Sequence, residues 1–344
     1  MSQARALAAL LLLGAGLAPV GASPQIDFPT DNTALLAGNG PEFYQYVERD
    51  FRGEKTRPWQ GGQYGFVRGP LEWGSSFVLT RFHEGIDIRP VRRGPDGAPL
   101  DEVRAIADGR VVHVAENPAQ SNYGRFVVVE HRWDGSPYYS LYAHLRTAEV
   151  RPGQSVPRGT RLGIMGWTGD GLDITRAHLH LELGLRLSER FEEWHATAFA
   201  GQANHHGTWN GLNLVGIDIA GFYRARAKDP SLSIPAFLAT QPVAFRAAVP
   251  ATPNLSLLER YPWLVARRPS AGSPPAWEIS FTAGGVPVSA APWPDRADLP
   301  KATWAAPPRT TLLHATRGLV TGTPDAPRLS ATGTRNLRLL TWPD

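Results

Sequence analysis

Between residues 177 and 183 the chain reads Ala-His-Leu-His-Leu-Glu-Leu, and this strict alternation points to an extended strand. Successive side chains of a strand face opposite ways. His178, His180 and Glu182 therefore share one side, and Leu179, Leu181 and Leu183 the other. Three leucines on one face need a core to pack against. Two imidazoles on the other face are donors of the kind a divalent metal takes. For Glu182 two roles stay open: support of a ligand, or a salt-bridged strand end.

The text around this strand continues the pattern as short runs separated by turn dipeptides. Glu102 to Ala107 is closed by Asp108-Gly109 and followed by Arg110 to Ala115; Phe126 to His131 leads through Asp134-Gly135 to Tyr138 to His144. Further turns fall at Pro152-Gly153 and Arg158-Gly159, then Thr160 to Met165 and His178 to Leu183 complete the set. The spacing predicts a mainly β fold, an antiparallel sheet folded on itself and not a βαβ unit.

At 344 residues the chain has room for two domains, or one large domain with an appendage. Arg5, the apolar run Ala6 to Ala18 and Val20-Gly21-Ala22 read as a secretory signal covering residues 1–22, which predicts an exported, periplasmic or extracellular protein. No later stretch is apolar for long enough to span a bilayer. The absence of cysteine excludes disulfides, thiolate metal ligands and a cysteine nucleophile. The excess of 35 basic over 31 acidic residues is mild, and without a dense Lys/Arg tract it gives no sign of a nucleic-acid partner.

The remaining divisions are an N-terminal extension, 23–73, with a helix around Pro41 to Asp50; a core, 74–185; and a helical and loop segment, 186–248. In that segment Ser188 opens a helix through His195 and Ser233-Ile234-Pro235 opens another. Seven prolines between Pro242 and Pro275 suggest a linker. A β-rich C-terminal module, 249–344, is expected to use Trp277 to Thr282, Val286 to Ser289 and Leu337 to Trp342 as strands. Its tryptophans, among them Trp263, Trp293 and Trp304, suit either a core or stacking on sugars.

A second polar motif, His83-Glu84-Gly85-Ile86-Asp87, stands about ninety residues before the first. Gly85 and the β-branched Ile86 and Ile88 favour a loop entering a strand over a helix. Alone, a His-x-x-x-Asp pair is usually a surface couple; beside His-x-His it points to a metal site. Tyr142-Ala143-His144-Leu145 supplies a further imidazole at a strand end.

With these three motifs in this order, the chain resembles the lysostaphin-type (LytM-like) zinc endopeptidases that cut peptide cross-links of bacterial peptidoglycan. Ala107-Asp108-Gly109-Arg110, Asn122-Tyr123-Gly124 and Val150 to Gly166 extend the likeness across residues 74–185, about a third of the chain. The resemblance implies a barrel-like antiparallel core with a narrow groove and one Zn²⁺ held by His83, Asp87 and His180. It further implies that His144 and His178 flank the reacting water, one as general base and the other steadying the oxyanion. The two roles are not apportioned. A purely structural zinc, or histidines that only orient ligands, are the plainer alternatives. The expected partner is the peptidoglycan peptide.

Asn122, Tyr123, His205, His206 and Asn210 are candidates for the groove wall, because they lie on loops, where function concentrates. His113 and His131 read as ordinary strand histidines, and Glu84 is assigned no role. One departure from the family pattern is a longer stretch between Gly169 and Ala177, carrying Asp170 and Asp173, which would reshape one rim. Two rival functions are a non-catalytic wall-binding or regulatory protein on the same scaffold, and a secreted endopeptidase acting on proteins.

Overall fold

The computed structural model describes residues 25–267, 269 and 272–343; the expected export signal, 1–22, lies outside them. The described fold is mainly β, with antiparallel sheets that stay open and no closed barrel among them, so the barrel-like expectation is corrected. A seven-stranded sheet runs in the order Ser155–Val156, Gly109–Ala115, Phe126–Trp133, Ser136–Ala143, Leu179–Arg186 and Leu214–Gly216, with Ile86–Ile88 also paired to Leu179–Arg186. Asp134 and Gly135 (φ 51° and 75°) make the tight turn that joins two of its strands, as an Asp-Gly hairpin should.

The alternation of the histidine strand is realised. Leu179, Leu181 and Leu183 are fully buried in one cluster with Ile86, Ile88, Val127 and Tyr142. Burying each leucine contributes roughly 1.5–3 kcal/mol. The strand proper begins at Leu179, and His178 stands one residue ahead of it, bridged to Gly166. A three-stranded sheet of Glu102–Arg104, Arg161–Met165 and Leu145–Ala148 closes the core.

Ahead of the metal motif, Gly65–Trp73 pairs with Ser76–His83 in a hairpin that runs across position 74. Its register shifts between Phe66 and Arg68. The helix expected over 41–50 shrinks to Gly40–Phe43, capped by Asn39. Tyr44 turns extended to bridge Ile88 and is buried there. Tertiary packing outweighs local helix preference at that point.

Ser233 caps Ile234–Ala239 as expected, whereas Ser188 accepts from Arg190 N and the next helix starts at Phe191. A four-stranded sheet in the order Pro287–Trp293, Ala276–Phe281, Phe245–Pro250 and Lys301–Ala305 forms the C-terminal part. The proline-rich stretch is packed: Leu255, Leu257, Tyr261 and Leu264 are buried, and Arg186 N donates to the Tyr261 hydroxyl at 3.0 Å. Leu337 to Trp342 is not a strand. Ser330 caps the helix Ala331–Arg338 and a 3₁₀ turn Leu339–Thr341 follows, burying Leu337, Leu339 and Leu340.

His131 is the ordinary strand histidine expected, with a consequence for stability. Fully buried, it places Nδ1 2.8 Å from the Asp108 carbonyl and Nε2 2.7 Å from the Ser140 hydroxyl. Burial pushes its pKa from 6.5 down to about 4. The unfolded chain therefore binds more protons between these values, and stability contributed by neutral His131 is present above pH 6.5 and lost as pH falls towards 4. Between pH 7 and pH 5 the loss is expected to be about 2 kcal/mol. Urea unfolding of the parent and of His131→Gln should show it as a difference in pH slope; equal slopes would contradict it.

Candidate metal centre

Three strands bring the centre together, the third being Leu179–Arg186 with His180. His83 ends the strand Ser76–His83, and Asp87 is the middle residue of Ile86–Ile88. Ile86 and Ile88 point into the core, so alternation turns Asp87 out, directly opposite His180 in the antiparallel register. Gly85 allows the crossing between the strands: a Cβ there would meet the Leu181 carbonyl at 2.4 Å.

The donor atoms converge. Asp87 Oδ1 lies 3.0 Å from His180 Nδ1, 3.2 Å from His83 Nε2 and 3.3 Å from His178 Nε2. His83 Nε2 and His180 Nδ1 are 3.1 Å apart. One donor atom each from His83, Asp87 and His180 falls within 4.8 Å of the others, all three residues buried. The rings of His144 and His178 are 4.7 Å apart, next to this trio.

The far nitrogen of each ring is engaged. His83 Nδ1 lies 2.8 Å from the Gln63 carbonyl, His178 Nδ1 2.7 Å from that of Arg176, and His144 Nδ1 2.9 Å from that of Thr168. A carbonyl can only accept, so each of these Nδ1 atoms carries a hydrogen, and Nε2 is the nitrogen left to offer a lone pair. His180 is reversed: its Nε2 meets Glu182 Oε1 at 2.9 Å, and its Nδ1 faces Asp87 Oδ1 at 3.0 Å. Such outer partners fix tautomer and ring orientation in histidines that bind metal. The set fits a zinc ion bound by two imidazoles and a carboxylate.

Charges in the centre are coupled. Burial pushes the Asp87 carboxyl up, but His83, His178 and Arg68 outweigh it and hold it well below the usual carboxylate range. Burial lowers His83, and lowers His144 further with the help of His178 and His180. His180 goes the other way, to about 9: burial opposes the charge, but hydrogen bonds to Asp87 and Glu182 prevail.

Several of these partners were not assigned from the sequence. Glu182 is 1% exposed and is met by Tyr123 Oη at 2.7 Å, while the Tyr123 ring stacks on His180. Arg68 Nη2 donates to Asp87 Oδ2, and its Nε to the Gly61 carbonyl. The register shift beside Arg68 is a bulge, the usual device for re-aiming a side chain, and no residue pattern announces it. Glu84 pairs with Arg317 of the C-terminal part, whose guanidinium also donates to the Gly284 carbonyl and lies over the Phe82 ring.

A cleft of about 430 Å³ opens over the centre. Asn122, Tyr123, His206 and Asn210 line it; His205 is exposed and stands outside the lining. Gly124 and Gly169 hold this wall, since a Cβ on either would meet the backbone of the other's turn within 2.4 Å. That contact seats Thr168 and Tyr123 against His144, whose N–H donates to Tyr123 O at 3.0 Å and whose φ is +63°. A non-glycine residue in the left-handed region is strained and persists only where its surroundings enforce it.

The segment that builds this centre has known relatives. Residues 81–190 match Peptidase family M23. The peptidoglycan DD-endopeptidase ShyA of Vibrio cholerae serotype O1 is 38% identical over 130 residues, which are 36% of this chain and 28% of that protein. The murein hydrolase activator NlpD of Escherichia coli (strain K12) is 35% identical over 101 residues, 29% of this chain and 22% of its own. The catalytic domain of lysostaphin from Staphylococcus simulans is 27% identical, covering 35% of this chain and 77% of that one, with a TM-score of 0.25. The chain spans about a quarter of the length of the curated relatives it matches. The resemblance read from the three motifs is thus to the M23 peptidases.

Proposed function

We propose that this chain is an exported zinc endopeptidase that hydrolyses peptide bonds in peptidoglycan cross-links. The observation that carries the proposal is the convergence of His83 Nε2, Asp87 Oδ1 and His180 Nδ1 beneath an open cleft. Three protein donors with one side open is the donor count of a catalytic zinc, whereas structural sites are closed by a fourth ligand. When bound, zinc acidifies water and polarises a carbonyl. His144 and His178, each with Nδ1 bonded to a backbone carbonyl, turn Nε2 to the cleft, where one can take a proton from water and the other, when it carries a proton on Nε2, can donate to the carbonyl oxygen as its charge grows. The base, once protonated, can return that proton to the leaving amine. Glu182 and Arg68 act by holding ligands, Glu182 with His180 and Arg68 with Asp87.

Export rests on the n-region, apolar run and small-residue cleavage site at the N-terminus. The substrate class rests on the likeness to M23 peptidases, including a peptidoglycan DD-endopeptidase. Similarity to NlpD supports a second reading, a non-catalytic activator, but the full donor set and the extra histidine pair favour the enzyme. Metal content and muropeptide release from purified sacculi test this together. The parent is expected to hold one zinc and to solubilise sacculi, and His180→Ala to lose both. A zinc-bearing parent that releases no muropeptide would refute the substrate; a parent that binds no zinc would refute the mechanism.

A further inference from the structure

The long stretch between Gly169 and Ala177 forms a braced platform. Asp173 Oδ1 accepts from Thr175 N at 2.8 Å and Arg176 N at 3.0 Å. Arg93 Nη1 donates to the Ile174 carbonyl at 2.7 Å, and Gln45 Nε2 to that of Thr175 at 3.4 Å. The Arg176 carbonyl accepts from His178 Nδ1 at 2.7 Å. The backbone that presents Arg176 to the cleft is therefore tied to the histidine beside the metal donors.

Three guanidinium groups line the cleft, and two are committed: Arg68 to Asp87 and Arg317 to Glu84. Arg176 has no ion-pair partner within 4.0 Å among the described residues, and its Nε has no hydrogen-bond partner. Asp173 feels the Arg176 charge but spends its hydrogen bonds on the platform, and Asp170, the other acid on this rim, is exposed to water. Arg176 is half-buried, so its charge is less screened than that of Asp170. A planar guanidinium is a standard receptor for a carboxylate.

We infer that Arg176 binds a carboxylate carried by the substrate beside the scissile amide and so determines specificity for acidic over amidated peptides. This rests on the endopeptidase reading above. Adjacency to His178 in the chain places that carboxylate near the reacting carbonyl.

The test uses two synthetic cross-linked peptides that differ only in whether the carboxylate next to the scissile amide is free or amidated. With the zinc-loaded full chain, kcat/KM is expected to favour the free acid by about 10- to 100-fold. Arg176→Gln should bring the two peptides within about twofold of each other, chiefly through KM, and Arg176→Lys should restore part of the preference. Calorimetric binding of both peptides to a His178→Ala background should give the same ranking without turnover. A parent indifferent to amidation in rate and binding overturns the inference, as does an Arg176→Gln loss equal for both peptides. If the parent cuts neither peptide and releases nothing from sacculi, the endopeptidase reading fails first. Sacculus digestion with no Arg176-dependent discrimination sinks this inference alone.

Discussion

The His178→Ala protein is expected to take up zinc like the parent and to lose about 100- to 10,000-fold in kcat, the range for removing a positioned acid or base. The expectation follows from how the ring is tied. Its Nδ1 is bound to the Arg176 carbonyl, which leaves Nε2 facing the cleft 3.3 Å from Asp87 Oδ1. That is close enough to share a water with the centre, yet His83, Asp87 and His180 already supply three donors. Metal analysis beside single-turnover kinetics separates the alternatives. If His178→Ala loses its zinc, His178 is a ligand and the proposed division of labour is wrong. If it keeps both zinc and rate, His144 alone performs the proton transfer.

The second large effect is expected at Arg68. Its guanidinium holds Asp87 Oδ2, so that the other oxygen, Oδ1, faces the three imidazoles. Arg68→Met would leave a buried carboxylate without that partner. Breaking a buried pair from one side costs about 3–5 kcal/mol. The Arg68 side chain keeps 31% exposure, and water replacing it would bring the loss down to about 2–3 kcal/mol. Zinc affinity should fall about 10- to 100-fold, as it does when an outer partner of a ligand is removed. Arg68→Lys should recover only part of this, because a point charge cannot hold both Asp87 and the Gly61 carbonyl. Chelator competition and urea unfolding measure the two quantities; unchanged zinc affinity would show that Arg68 does not position Asp87.

Legibility followed the range of the forces involved. The alternation from His178 to Leu183 and the Asp134-Gly135 turn are local patterns, and the structure realises both. The His83 and Asp87 motif was readable in part: a short loop at Glu84-Gly85 enters the strand Ile86–Ile88, but His83 itself ends the strand Ser76–His83. Arg68 was not, because a bulge chosen by cross-strand packing aims it. Glu182 was visible on the right face, but its burial depends on Tyr123, 59 positions away in the chain. The helix at Ala331–Arg338 was missed because its one buried leucine, Leu337, falls at the end of the element beside Leu339 and Leu340 of the next turn, where a few apolar residues suit either period. The proline-rich stretch misled as a linker because composition does not reveal that Tyr261 docks on Arg186.

The spacing of the donors bears on how the protein would respond to its surroundings. His83 and Asp87 lie 97 and 93 positions from His180 and meet only through strand pairing. Closing so long a loop in an unfolded chain is entropically costly, so the denatured protein is a poor chelator. Nearly all the free energy of zinc binding then accrues to the native state. Once free zinc exceeds the dissociation constant, each further tenfold rise adds about 1.4 kcal/mol of stability. Resistance to unfolding thus becomes a gauge of the zinc available in the compartment where the chain works.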